Sequence, residues 1–163
     1  MTVASLRTAW VALLALYTVR ILATADAWHL PDFINLPIHE TGHLVFAWGG
    51  ETLAILGGTL FQLLMPLAIA ISFHRRHDAL GTGTALWWVG QNHFNIARYV
   101  ADARAQELPL VGGGEHDWFL LLAEWEMLDR DLALARAIRL VGTIVMVASL
   151  WWAWRGRAVS RAA

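Results

Sequence analysis

The chain has 163 residues, 58% of them hydrophobic and only 15% charged, with a net charge of −1 and no cysteine. That length suits one domain, 1–163, and the apolar share exceeds that of an ordinary soluble domain, so much of the surface is expected to face a lipid bilayer. Near-neutral charge with scattered arginines excludes nucleic-acid binding, and the lack of thiols leaves any metal to His, Asp or Glu.

In chain order, "SLRTAWVALLALYTVRILATA" (5–25) is long and apolar enough to span a membrane. Arg20 interrupts it and must snorkel, pair or face a polar interior. Without a basic cluster before it, the segment reads as an uncleaved anchor rather than a signal peptide. Residues 34–48 contain His39-Glu40-Thr41-Gly42-His43, an H-E-x-x-H pattern in an apolar run. About fifteen residues make only ~22 Å of helix, short for a span, so a buried or re-entrant helix is expected. Asn35 is its expected cap, Pro37 suits its first turn, and Gly49-Gly50 closes it.

A second span follows at 52–73, where Gly57, Gly58 and Thr59 permit close helix approach and Gln62 should point inward. Residues 79–103 form a third, more polar span, and 132–154 a fourth. Between these two, 112–128 reads as a glycine-rich approach to an amphipathic helix, with Asp117 at the capping position. Trp151, Trp152 and Trp154 followed by Arg155, Arg157 and Arg161 look like an interfacial belt at a cytoplasmic end. The expected fold is therefore all-α: a polytopic bundle of about four transmembrane helices, the short H-E-x-x-H helix and an amphipathic helix.

On a helix, His39 and His43 lie one turn apart on one face and can offer imidazole nitrogens to a single ion. Glu40, about 100° round the axis, can reach a water at that ion and act as general base. Burying two imidazoles and a carboxylate in an apolar segment costs several kcal/mol without partners, which favours a functional reading. Zinc, the ion expected here, takes three protein ligands in a catalytic site. Stepping back from Asp102 by threes and fours gives Arg98, Asn95, Gln91, Trp88 and Thr84, one polar stripe along the third span. Asp102 is thus the expected third ligand. His116 is its rival, reaching the metal or the substrate from the glycine-rich approach. His93 lies half a turn from Asp102 and should point elsewhere. His29, His74 and His77 read as solvated, interfacial residues.

An H-E-x-x-H helix, a glycine/proline-containing segment "GGTLFQLLMP" (57–66) and "NIARYVADA" (95–103) together resemble the site-2 protease class of intramembrane zinc metalloproteases. The resemblance covers roughly 34–103, with Asn95 and Asp102 at the family's last motif and Ala103 where the family carries glycine. It implies a zinc-dependent peptidase with Glu40 as base, His39, His43 and Asp102 as ligands, and a membrane-embedded peptide or protein as substrate. "YVADA" and "HDW" also look like features of small bacterial membrane proteins of this kind, which implies a bacterial inner membrane. Asn95, Gln62 and His116 are expected to hold substrate or polarise its carbonyl. The competing readings are a metal-stabilised membrane adaptor without catalysis and a di-iron membrane oxidase.

Overall fold

The computed structural model describes residues 2–111 and 114–156. These are helical, without a strand among them: α1 Val3–Ala23, α2 Asp32–Phe46, α3 Glu51–Arg75, α4 Ala79–Ala101, α5 Asp117–Glu124 and α6 Asp131–Gly156, with single 3-10 turns at Ala47–Gly49 and Leu128–Arg130. Arg157 and Arg161, expected in the basic belt, lie outside the described residues.

Helix α1 starts where the Thr2 hydroxyl accepts the Ser5 amide hydrogen, at 3.2 Å. It buries Val11, Leu14, Thr18 and Ile21, a narrow stripe at helical spacing. The opposite side shows Leu6, Leu13, Leu16 and Val19 to the exterior, and Arg20 is exposed near the C-terminal end. Helix α6 likewise exposes Leu140, Ile144, Val147 and Trp151. Such apolar outer faces suit lipid contact better than water.

Three helices, α1, α3 and the α6 region Leu128–Gly156, are long and apolar enough to cross a membrane. The expected third span, α4, does not join them. It is the central helix, with 23 residues of which eleven are buried, and it carries Gln91, Asn92, His93, Asn95 and Arg98. Its polar side chains answer other protein groups rather than lipid. Small residues let α6 lie against it: a Cβ on Gly83 would meet Ala153, and one on Gly90 would sit 2.6–2.9 Å from Met146 and the Gly142 carbonyl. Leu14, Ile21, Trp87, Phe94 and Met146 form a core joining α1, α4 and α6. Ile96, Val100, Trp118, Leu121, Leu122 and Ala135 form a second, which holds the short α5 against α4 and α6.

Helix α2 begins three residues earlier than its expected cap. Asp32 is the first helical residue, its carboxylate accepting the His29 amide hydrogen at 2.8 Å, so Asn35 falls inside the helix and is fully buried. Pro37 accordingly lies beyond the first turn. The helix ends through the 3-10 turn at Gly50, whose φ of +90° only glycine adopts without strain and which starts α3. One side of α2 packs on α3; the other leaves Phe33, Leu44 and Trp48 outside, the last two about 80% exposed (80% and 82%).

The α4–α6 contact predicts a mutational asymmetry. Gly90→Ala forces a methyl against backbone atoms and should cost about 1–3 kcal/mol. Leu140→Ala on the outer face of α6 should cost far less, and thermal unfolding in detergent micelles measures both. Equal midpoints for Gly90→Ala and the parent would show that the two helices are not packed this closely.

Candidate metal centre

His39 and His43 project from α2 toward α3, their rings edge to face with centroids 4.8 Å apart. Glycine makes the approach possible. A Cβ on Gly58 would lie 2.7 Å from the Nε2 atoms of both histidines, one on Gly42 would collide with the Gly57 carbonyl, and one on Gly57 with Phe46.

The Nδ1 atoms of both rings face carbonyl oxygens: Gln62 Oε1 at 3.2 Å from His39, and the Ala54 carbonyl at 2.9 Å from His43. A carbonyl oxygen can only accept, so each Nδ1 carries the hydrogen, and in the neutral ring each Nε2 keeps its lone pair. Both Nε2 atoms converge on Asp117 Oδ2, at 2.8 Å from His39 and 3.3 Å from His43. Two lone pairs and a carboxylate oxygen at such distances repel one another unless positive charge lies among them, either a shared proton or a metal ion.

The donor set fits zinc. Ligand atoms about 2.0–2.1 Å from a tetrahedral ion stand roughly 3.3 Å apart, which matches the His43 separation and exceeds the His39 one by about half an ångström. His39, His43 and Asp117 are also the one group of three or more such donors among the described residues, with all ligand atoms within 4.8 Å of one another. The second nitrogen of each imidazole is already fixed by an acceptor, the outer support that metal-binding histidines ordinarily have. Burial opposes ionisation of Asp117, but with the rings protonated on Nε2 as well, hydrogen bonds from His39 and His43 outweigh it and hold the carboxyl below its ordinary pKa.

A cavity of about 700 Å³ opens beside the cluster. Glu40, Gln62, Asn95, Arg98 and Tyr99 line it, with Leu108, Leu110 and Val111 from the segment after α4. Glu40 is exposed there, one residue from His39. Asn95 accepts a hydrogen bond from Gln62 Nε2 at 2.7 Å through its oxygen, and its amide nitrogen has no partner among the described residues. Gln62 differs: it is 1% exposed and spends its oxygen on His39 and its nitrogen on Asn95. Its oxygen thereby fixes the orientation of the His39 ring.

The polar stripe of α4 does face α2. Trp88 Nε1 donates to Asn35 Oδ1 at 2.8 Å, Gln91 Nε2 donates to Asp32 Oδ1 at 2.7 Å, and Asn95 continues through Gln62 to His39. Arg98 stacks on Trp28, its guanidinium carbon 5.4 Å from the ring centre, and is not ion-paired with Asp102. Thr84 instead accepts from Trp10 Nε1 of α1 at 2.9 Å, and Asp102 leaves the pattern altogether. Helix α4 ends at Ala101, and Asp102 caps it with its carboxylate accepting the amide hydrogens of Glu107 and Leu108, each at 3.0 Å. It is not in the His39–His43–Asp117 group, so the carboxylate against the imidazoles is Asp117 and not the expected Asp102.

Two further expectations shift by one residue. Asp117, read as a cap, is the first residue of α5, and His116 is the cap, its Nδ1 accepting the Phe119 amide hydrogen at 3.2 Å. His116 is 1% exposed and absent from the cavity wall, so it neither joins the donor set nor reaches substrate space. Burial lowers its pKa against the opposing pull of Asp102. His93 donates its Nδ1 hydrogen to the Val89 carbonyl at 2.7 Å and packs beside Gly142 of α6. His29 is buried, its Nε2 3.1 Å from the Thr24 carbonyl, while His74 and His77 are exposed.

Purified protein loaded with zinc and passed over a desalting column should keep near one ion per chain, and Asp117→Ala should lose most of it. Gln62→Leu should bind about 10–100-fold more weakly through the loss of His39 orientation. His93→Ala should keep the parental content, and a depleted His93→Ala protein would place the donors wrongly. Compared with models of known protein families, with curated proteins and with solved structures, the chain matches none.

Proposed function

We propose that this chain is a zinc-dependent peptide-bond hydrolase of the membrane, acting on a membrane-embedded peptide or protein. The observation that carries the reading is the pair of imidazoles whose Nδ1 hydrogens are both engaged by carbonyl oxygens, so that both Nε2 atoms meet one carboxylate oxygen beside a cavity. His39, His43 and Asp117 would hold the ion. Zinc in an open three-ligand site supplies Lewis acidity, polarising a carbonyl and bringing the pKa of water to ~7.

Glu40, on the cavity wall next to His39, accepts the proton of the attacking water and returns it to the leaving amine. Asn95 Nδ2 donates to the carbonyl oxygen of the scissile bond as negative charge develops there, with Gln62 holding the Asn95 amide in that orientation. The apolar side chains Leu108, Leu110 and Val111 give the cavity a wall suited to an apolar segment. Three apolar helices of spanning length support a bilayer setting, and α2 with its lipid-compatible Leu44 and Trp48 lies beside α3 as a short intramembrane element. A two-metal oxidase would need more donors than this group of three offers.

Glu40→Gln should bind zinc and keep the parental helical signal while hydrolysing casein or a quenched apolar peptide in micelles at least 10²-fold more slowly. Equal rates for the two proteins would remove Glu40 from the mechanism. A parent that binds zinc stoichiometrically yet cleaves neither probe would favour the adaptor, in which the ion serves folding alone.

A further inference from the structure

His116 is an uncommon choice for a helix cap. Asn, Asp, Ser and Thr serve that position best, because a short side chain reaches the second or third amide with little loss of freedom. An imidazole adds two things that those caps lack, a second nitrogen and a flat ring, and here both are used. Because Nδ1 accepts the Phe119 amide hydrogen, the hydrogen of the neutral ring is on Nε2, which is buried 3.3 Å from Asp102 Oδ2, short of hydrogen-bond alignment and without another partner among the described residues. The flat face packs on Tyr99, with ring centres 4.1 Å apart, and the Tyr99 hydroxyl accepts the amide hydrogen of Asp117 at 3.1 Å.

Asp102 is equally constrained. It closes α4, ties back the amides of Glu107 and Leu108, and turns Oδ2 to His116. The side chains of His116 and Asp102 are both nearly enclosed, at 0% and 10% exposure, so water offers little in place of either partner. The end of α4 and the beginning of α5 are joined through this contact, one residue from the carboxylate that meets His39 and His43.

We propose that Asp102 and His116 are a positioning pair for the metal centre: Asp102 orients the His116 ring, and His116, by capping α5 and stacking on Tyr99, sets where the Asp117 carboxylate meets His39 and His43. The proposal rests on the reading of His39, His43 and Asp117 as zinc ligands. Neither member of the pair touches the ion. Both act through Asp117, in the manner of the outer partners that hold metal ligands in place.

The test separates capping from positioning. His116→Asn supplies a better cap and cannot reach Asp102 with an imidazole N–H; Asp102→Asn leaves His116 in place and removes the charge it faces. Zinc affinity is measured by competition with a chromophoric chelator in detergent micelles, and ligand geometry by the visible absorption of the cobalt-loaded protein. Each variant should bind zinc about 10–100-fold more weakly and shift the cobalt spectrum, while metal-free helicity stays parental, as does the unfolding midpoint of His116→Asn; Asp102→Asn, which gives up one of the amides of Glu107 and Leu108, should lose less stability than zinc affinity. The double variant should be little worse than either single one, since the two residues act as a unit.

Parental zinc affinity and cobalt spectrum in His116→Asn would overturn the proposal and reduce His116 to a cap. A loss of affinity matched by a loss of metal-free stability would overturn it as well. If His116→Asn does not fold, Asp102→Asn decides by the same readouts, an unchanged spectrum counting against the pair. A parental protein that binds neither zinc nor cobalt would instead remove the metal reading on which the pair depends.

Discussion

Two imidazoles can sit in so apolar a chain only where every polar atom on them is answered, and the close crossing of α2 on α3 makes this possible. Gly42, Gly57 and Gly58 remove the side chains that would hold the helices apart. The Ala54 carbonyl and the Gln62 oxygen then come within reach of the two Nδ1 atoms. A methyl group at Gly58 would occupy the space beside both Nε2 atoms. Helix packing and donor geometry are therefore one constraint. A larger residue at the crossing would disturb the ligands even where the helices themselves survived.

The same economy governs α4. A central helix carrying Gln91, Asn95 and Arg98 would be a poor neighbour for lipid, yet its polar face is nearly consumed by α2 and α3. Asp32 receives Gln91 and Asn35, Asn35 receives Trp88, and Gln62 receives no water because His39 and Asn95 use both its ends. Such a chain of satisfied amides costs little in a low-dielectric interior, whereas one broken link exposes the full penalty of an unpaired group. The hydrogen bonds that dock α4 on α2 thus stand one turn from a second set, Asn95 with Gln62 and Gln62 with His39, that ends on the imidazole.

How much of this could be read beforehand follows from where periodicity applies. The H-E-x-x-H helix and the α4 stripe repeat at helical spacing, so a wheel drawn from the sequence shows which residues share a face. Asp102 defeats the wheel because α4 has already ended at Ala101, and beyond the terminus the carboxylate turns to the loop amides of Glu107 and Leu108. Asp117 was hidden for a similar reason. A carboxylate before an amphipathic run reads as a cap, and a shift of one residue gives that duty to His116 and releases Asp117 toward α2. The His116-Asp117 pair at the start of the short amphipathic helix was the available signal. The span count turns on the same helix: α4 is long enough, but its polar residues leave it less apolar than α1, α3 and α6, the three helices suited to crossing a membrane.

The distance along the chain between the donors has a consequence for folding order. His39 and Asp117 meet across 78 positions, so their contact is made only after α3 and α4 have packed and the chain has returned to begin α5. Contacts of such long sequence separation carry a loop-closure cost that local helices do not, and they form late. During synthesis, a chain that has emerged only as far as α4 presents two imidazoles without their carboxylate. Completion of the donor set therefore reports that the chain as far as α5 has come together, and an ion held by all three donors would favour that state by mass action over less folded ones.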